Sequence, residues 1–395
     1  MSPLRAMLVL GALEAFGPLS MDLYLPQLPQ LADTLGASDA LAQATMSACM
    51  LGLGLGQLIA GPLSDRHGRR RPLLVGVAAF AVLSLVCALA PTIEVLLVAR
   101  ALQGIAGSAG IVIALAVARD LYRGAELSRM LSLLLLVSGS APVIAPLVGG
   151  QLAHLMDWRG VFGVLAGIGV ALFAVVLFAL PESLEPARRH AGGVRDLGGH
   201  LRVVSHDRLF VAVLVAASFG GAAFFTYLSM SSFVLEGQFG LTPQLFSLVF
   251  AANAVASIAG GQVSRALVRR TGAVRIYLVG VTACAAVAAL AFAMSLWGLG
   301  LVAVVASLVL YLFSSGLGGP NSSTLALAHH GPRAGTAAAF LGFGQFAIGP
   351  IIAPLVSLAG TTAVVMTATM AIASGAAAVV AWCAVRPVAR TAPPG

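Results

Sequence analysis

The chain has 395 residues, 59% of them hydrophobic and 9% charged, with a mean hydropathy of +0.99 and a formal net charge of +8. That composition leaves too little polar surface to cover a water-facing molecule of this length, and it puts the chain in a bilayer. Every basic residue is arginine, spread over short connectors, which excludes the continuous basic stripe of a nucleic-acid binder.

A spanning helix needs about 20 mostly apolar residues. Punctuation by Pro, Gly and charge predicts twelve of them, at approximately 7–31, 40–62, 72–90, 93–118, 127–152, 158–180, 209–233, 242–264, 274–295, 297–318, 335–358 and 361–385. The first is expected to be retained, since residues 1–6 make a weak leader and no small-residue cleavage site follows. It carries two acids, Glu14 and Asp22. An ionisable group inside a bilayer costs at least ~2.5–3.5 kcal/mol on insertion scales, so both are candidate functional groups. Eight residues advance a helix by ~12 Å and leave the two side chains ~80° apart in projection, so they can face one cavity. Pro18, halfway between them, predicts a bend. Static polar anchoring of neighbouring helices is the plainer reading of the same pair.

The connector between the second and third spans holds Gly61, Asp65, Arg66, Gly68 and Arg69, followed by Arg70 and Arg71. The fourth span contains Arg100, Gln103 and Gly104, with Arg100 about two turns from the outer end, where a guanidinium stays charged and needs a partner. In the fifth span Pro146, Gly149 and Gly150 follow Ala145; the proline interrupts a helix hydrogen bond and the glycines allow close approach of a neighbour. Residues 181–208 form the longest polar connector and divide the chain into an N-terminal bundle (1–180), a cytoplasmic linker (181–208) and a C-terminal bundle with a short tail (209–395). Across that divide the chain repeats itself. Residues 63–76 align without a gap on 267–280, a constant offset of 204 residues. A repeat of six spans keeps its orientation, which implies parallel halves related by an axis along the membrane normal.

With both termini on one side, every arginine except Arg100 and Arg159 falls on that side, which the positive-inside rule makes the cytoplasm. Cys49, Cys87, Cys284 and Cys383 are solitary within predicted spans and read as packing residues, so neither a metal centre nor a disulfide is expected. The seven histidines fall in connectors or at span ends, and no Gly-x-Ser-x-Gly or His-Glu-x-x-His pattern occurs, which argues against a membrane-embedded enzyme. A chain without lysine has no nucleotide-binding P-loop, so no cofactor or intrinsic ATP use is expected.

Four segments together resemble the major facilitator superfamily, specifically its twelve-span drug/proton antiporters. The Gly61 to Arg71 connector resembles the family's motif A, a cytoplasmic latch in which Asp65 can face a positive helix N-terminus, Gly68 permits a tight turn and the arginines anchor at anionic lipid. Arg100, Gln103 and Gly104 resemble motif B, whose buried arginine the family implicates in proton transfer. The segment from Ala145 to Gly150 resembles the antiporter motif C, with Ala145 where glycine is usual. Met21, Asp22, Tyr24, Pro26 and Pro29 resemble the bicyclomycin and chloramphenicol resistance (Bcr/CflA) branch, with which Asp157, Trp158 and Arg159 and the Arg119-Asp120 pair agree.

The resemblance implies an all-α polytopic protein of the cytoplasmic (inner) membrane, with twelve helices in two six-helix pseudo-symmetric bundles and both termini cytoplasmic. It implies a monomeric antiporter that exports small amphipathic drugs of chloramphenicol or bicyclomycin type in exchange for protons, the halves rocking about a central site. Burial favours the protonated form of a carboxylic acid, so Asp22 is the expected proton carrier and Glu14 a second acid tuning substrate range, with Arg100 beside them. Expected substrate contacts are Phe16, Tyr24, Met46, Met50, Gln103, Phe224, Tyr227, Phe250, Asn253 and Gln345 besides the two acids. A narrow exporter of a metabolite, sugar or amino acid, or an uncoupled facilitator of the same fold, is the alternative.

Overall fold

The computed structural model describes residues 3–185, 205–328, 341, 344 and 348–387; side chains at 3–6, 18, 327 and several positions between 124 and 143 are outside the description. No strand occurs among the described residues. Helix α1 (Pro3–Asp22) runs into a 3-10 turn (Leu25–Gln27) and a short α2 (Leu28–Leu35). The expected continuous stretch 7–31 is thus corrected: Pro26 and Pro29 bring no N–H to continue the ladder, and the helix stops at the second acid. The bend predicted at Pro18 is present, since Met7–Gly17 and Leu19–Leu35 meet at 42°.

Small polar residues start the next helices where the apolar runs begin. The Ser38 hydroxyl accepts from Leu41 N at the start of α3 (Asp39–His67). After α4 (Arg70–Ala88), α5 (Ile93–Leu121) and α6 (Gly124–Leu155), Asp157 caps α7 (Trp158–Ala179). Asp207 likewise accepts from Leu209 N and Phe210 N to open α8 (Arg208–Ser232), which ends in a π-helical turn, Phe233–Gln238. Then come α9 (Pro243–Thr271), α10 (Ala273–Leu296), α11 (Gly300–Leu327), α12 (Gly349–Ser357) and α13 (Ala363–Val380), the last extended by a π-turn, Ala381–Val385.

Nine described helices are long and apolar enough to cross a bilayer, ten with the bent first pair counted as one span. The predicted fifth span coincides with α6, and 11 of the 24 residues of the eleventh, Gln345 among them, lie outside the described residues. Large apolar side chains such as Val75, Phe178 and Ile372 point outward without cover, as a hydrocarbon surround requires. With no water at that depth, Ser and Thr return their hydroxyls to their own helices: Ser84 to Phe80 O, Thr226 to Ala222 O, Ser229 to Phe225 O and Thr367 to Ala363 O.

Two predicted ends are corrected. The sequence stops the second and tenth spans near Pro62 and Gly318, yet α3 runs to His67 and α11 to Leu327. Both prolines sit in the same kind of tetrad, Gly61-Pro62-Leu63-Ser64 and Gly319-Pro320-Asn321-Ser322. In each the serine hydroxyl donates to the glycine carbonyl three residues earlier, at 2.8 Å and 2.7 Å. Asn321 adds a bond from its amide to Leu317 O and another to Ser264 Oγ.

Contacts divide the chain into two units, Met1–Val194 with Pro243–Ser247, and Arg195–Thr242 with Leu248–Gly395. In the first, α3 packs on α5, α4 on α7 and α5, and α1 on α6 and α5. In the second, α10 packs on α11 and α13, and α8 on α13 and α12. The sequence repeat has a counterpart in each. Gly68 after α3 and Gly272 after α9, again 204 residues apart, both take positive φ, +88° and +81°. Gly56 and Gly260, with the same offset, each lie against a neighbouring backbone: an added Cβ would stand 2.6 Å from Ile105 O and 2.0 Å from Phe313 O respectively.

Candidate functional site

Arg100, on α5, is entirely buried within the first unit. Its Nη1 donates to Ser20 O at 3.1 Å and to Gln103 Oε1 at 2.6 Å. Its guanidinium carbon lies 4.7 Å from the centre of the Tyr24 ring and 5.4 Å from that of Phe162 on α7. Planar stacking and directed N–H bonds together hold a charge that has no carboxylate within 4.0 Å among the described residues. Gln103 is oriented in turn, because Nε2 donates to Ser84 Oγ on α4 at 2.7 Å while Oε1 accepts from the arginine. The Thr45 hydroxyl on α3 donates to Ala42 O, so the 3.0 Å contact between Tyr24 and Thr45 has the tyrosine as donor.

This arrangement fixes the turn that bears Asp22. On one side Arg100 holds Ser20 O and covers Tyr24; on the other, Gly149 of α6 approaches so closely that a Cβ there would stand 2.1 Å from Leu23 O. Gly104 does the same between α5 and α3, where a Cβ would meet Cys49 O at 2.0 Å. These glycines, singled out in the sequence, therefore act as contact points between helices. Pro146 and Gly150 are buried on the same helix as Gly149.

Glu14 and Asp22 are each 6% exposed, so neither points into lipid. Neither forms an ion pair among the described residues, and Glu14 Oε2 has no hydrogen-bond partner. Phe16 packs on Phe80 with ring centres 3.8 Å apart, Met46 is fully buried and Met50 partly so. The second unit gathers the other candidates. Asn253 donates from Nδ2 to the Tyr227 hydroxyl at 3.1 Å, Phe250 stacks on Tyr227 with 5.7 Å between ring centres, and Phe224 lies 6.1 Å from Tyr227. Asn253 Oδ1 is buried with no partner.

At the connector after α3, Arg69 forms ion pairs with Asp65 and with Asp120 at the end of α5, and donates to Ser64 Oγ. Gly61 is partly covered and Arg66 exposed. The N-terminus of α4 is met by Glu182, whose carboxylate accepts from Arg69 N at 2.8 Å and Arg70 N at 3.2 Å, while Ser183 donates to Asp120. Asp65 lies at the opposite, C-terminal end of α3 and pairs four residues along the chain. Sequence reading passed over Glu182, although an acid directly after Pro181 at the end of an apolar run was the available signal. Glu182→Ala is expected to lower stability by about 1 kcal/mol, the scale of a lost helix cap, measured as a lower midpoint of thermal unfolding in detergent.

Arg159 is not a topological outlier but a cap. Its Nη1 donates to Ala88 O and Ala90 O at the C-terminal end of α4, and its guanidinium covers Trp158.

Residues 10–354 match the family described as Major Facilitator Superfamily. The chain is 37% identical over 367 residues to the uncharacterized MFS-type transporter YdgK of Bacillus subtilis, covering 92% of this chain and 90% of that protein. It is 28% identical over 371 residues to the bicyclomycin resistance protein homolog of Haemophilus influenzae, covering 92% of each. In fold it resembles the crystal structure of a point mutant of the nucleoside transporter NupG, with a TM-score of 0.77 at 14% identity over 97% of this chain and 99% of that one. A helical, multi-pass membrane chain matched over nearly its whole length in this way belongs to the Major Facilitator Superfamily.

Proposed function

We propose that the protein is a proton-coupled antiporter of the inner membrane that exports small amphipathic drugs, of the class named for its bicyclomycin-resistance relative, with both termini in the cytoplasm. The observation that carries this reading is the pair of buried carboxylates on bent α1, neither in an ion pair among the described residues. A carboxyl without a fixed counter-charge is free to exchange a proton for a ligand, and it does so only if hydrated in turn from each face of the bilayer. In this reading Asp22 carries the proton, Glu14 widens the range toward cationic drugs, and Arg100 holds the Asp22 turn in register. Proton and drug compete, so an inward proton gradient drives export by alternating access. The aromatic group of Phe224, Tyr227 and Phe250 with Asn253 supplies loose, largely apolar recognition.

The test is drug uptake into inside-out vesicles under an imposed pH gradient, using chloramphenicol and a lipophilic cation. Asp22→Asn is expected to abolish gradient dependence for both compounds, and Glu14→Gln to reduce transport of the cation more than that of chloramphenicol. The double variant is expected to match vesicles without the protein. Undiminished gradient-driven uptake by the double variant rejects the assignment.

A further inference from the structure

We propose that the C-terminal unit contains a half-open binding site between α8, α10, α11 and α13 for a neutral one- or two-ring aromatic compound carrying a hydrogen-bond acceptor. Phe224 lines this cavity and also belongs to the recognition group proposed above, so the inference deepens that reading, but no charge or proton enters it.

A cavity of about 260 Å³ lies among these four helices. Glycine opens it: at Gly220 on α8 and Gly319 on α11 an added Cβ would meet nothing within 4 Å. Nearby, Gly280 and Gly318 pull α10 and α11 together, a Cβ at Gly280 standing 2.6 Å from Gly318 Cα, so the space is framed by a tight helix contact. Among the described residues no charged side chain lines it. An apolar cavity of about 150 Å³ already holds benzene, and the larger volume here suits two rings.

The polar atoms of the wall narrow the ligand further. Ser314 and Ser322 donate to their own helix at Leu310 O and Gly319 O, Tyr311 bonds Ser374 across the wall at 3.3 Å, and the Cys284 thiol is directed at Tyr311 O. Tyr277 is 2% exposed, it lines the cavity, and its hydroxyl has no partner among the described residues. A buried hydroxyl left unanswered carries its full desolvation penalty, which an acceptor on the ligand recovers. Water answers one donor but needs two to four polar partners to be held, and here most of the lining hydroxyls are already engaged with protein. The complementary molecule is therefore apolar with one carbonyl, nitro or ether oxygen.

The probe is benzophenone, a neutral two-ring ketone that inserts into nearby C–H bonds on irradiation. Purified protein in lipid nanodiscs is photolabelled over a concentration series and the adducts are mapped by mass spectrometry. Labelling of α8, α10 and α11 at the cavity wall is expected to saturate and to be displaced by acetophenone. Gly220→Leu, which fills the open space with a better helix former, is expected to reduce the saturable component at least tenfold. Tyr277→Phe keeps the ring and is expected to raise the half-saturating concentration about fivefold, the effect of one hydrogen bond. Labelling that rises without saturation, falls equally on outward positions such as Val302 and Ile372, and ignores Gly220→Leu overturns the proposal. Should Gly220→Leu fail to fold by size-exclusion chromatography, Tyr277→Phe decides alone, and an unchanged half-saturation overturns it.

Discussion

Arg100→Lys is expected to reduce drug transport in vesicles to less than about a tenth of the parent level, nearly as far as Arg100→Ala, because lysine keeps the charge and loses everything else the site uses. The guanidinium is planar and lies against Tyr24 and Phe162, and one nitrogen serves Ser20 O and Gln103 Oε1 together. An ammonium has no flat face to lay against the two rings. Alanine adds a cavity and leaves Gln103 Oε1 without its strong donor, for a loss of about 1–3 kcal/mol at that atom alone. The two variants are to be compared by vesicle uptake and by thermal unfolding of protein purified to equal monodispersity. Full transport by Arg100→Lys reduces the role of Arg100 to bare charge and removes the argument that it holds the Asp22 turn.

Gly149→Ala should have the next largest effect. The obstacle to its Cβ is Leu23 O, a backbone atom one residue from Asp22, so no side chain can rotate out of the way. Either α6 moves off α1 or the turn after Asp22 rebuilds, and overpacking of this kind typically costs about 1–3 kcal/mol. A fall in the unfolding midpoint and about a tenfold loss of transport are expected, since one added methyl group strains the segment that carries Asp22. Gly163→Ala on α7 is the control, because its Cβ meets nothing within 4 Å. Equal behaviour of the two variants contradicts the close approach of α6 to α1.

Much of the molecule was legible beforehand because a bilayer imposes simple rules. Helix length follows from hydrocarbon thickness, and the breaks between spans follow from punctuation by Pro, Gly and charge. The repeat was visible as an offset of 204 residues and reappears as two glycines with positive φ. Buried ions announce themselves too, which is why Glu14, Asp22 and Arg100 stood out. Partners did not. Arg100 is 80 residues from Ser20, and Arg69 is 113 from Glu182, and nothing periodic in the sequence encodes which distant carbonyl or carboxylate a donor will meet. The prolines misled for a different reason. Pro62 and Pro320 each remove one N–H, at Leu58 O and Gly316 O, but in an apolar surround continuing the helix leaves fewer backbone groups unpaired than ending it. Tyr277 and Tyr311 were overlooked because an aromatic on an apolar helix looks like filler until its hydroxyl is followed to a partner or to none.

The habit of Ser and Thr to bond their own helices reaches beyond packing. Such side chains have spent their one hydrogen: Ser84, Thr226, Ser229 and Thr367, all fully buried, have no O–H left to donate to a visiting molecule. Discrimination among compounds of similar outline must then rest on a handful of unsatisfied atoms, Glu14 Oε2 and Asn253 Oδ1 among them. A lining so sparing with polar contacts holds nothing tightly, and a cargo that is never gripped hard is one that can be let go.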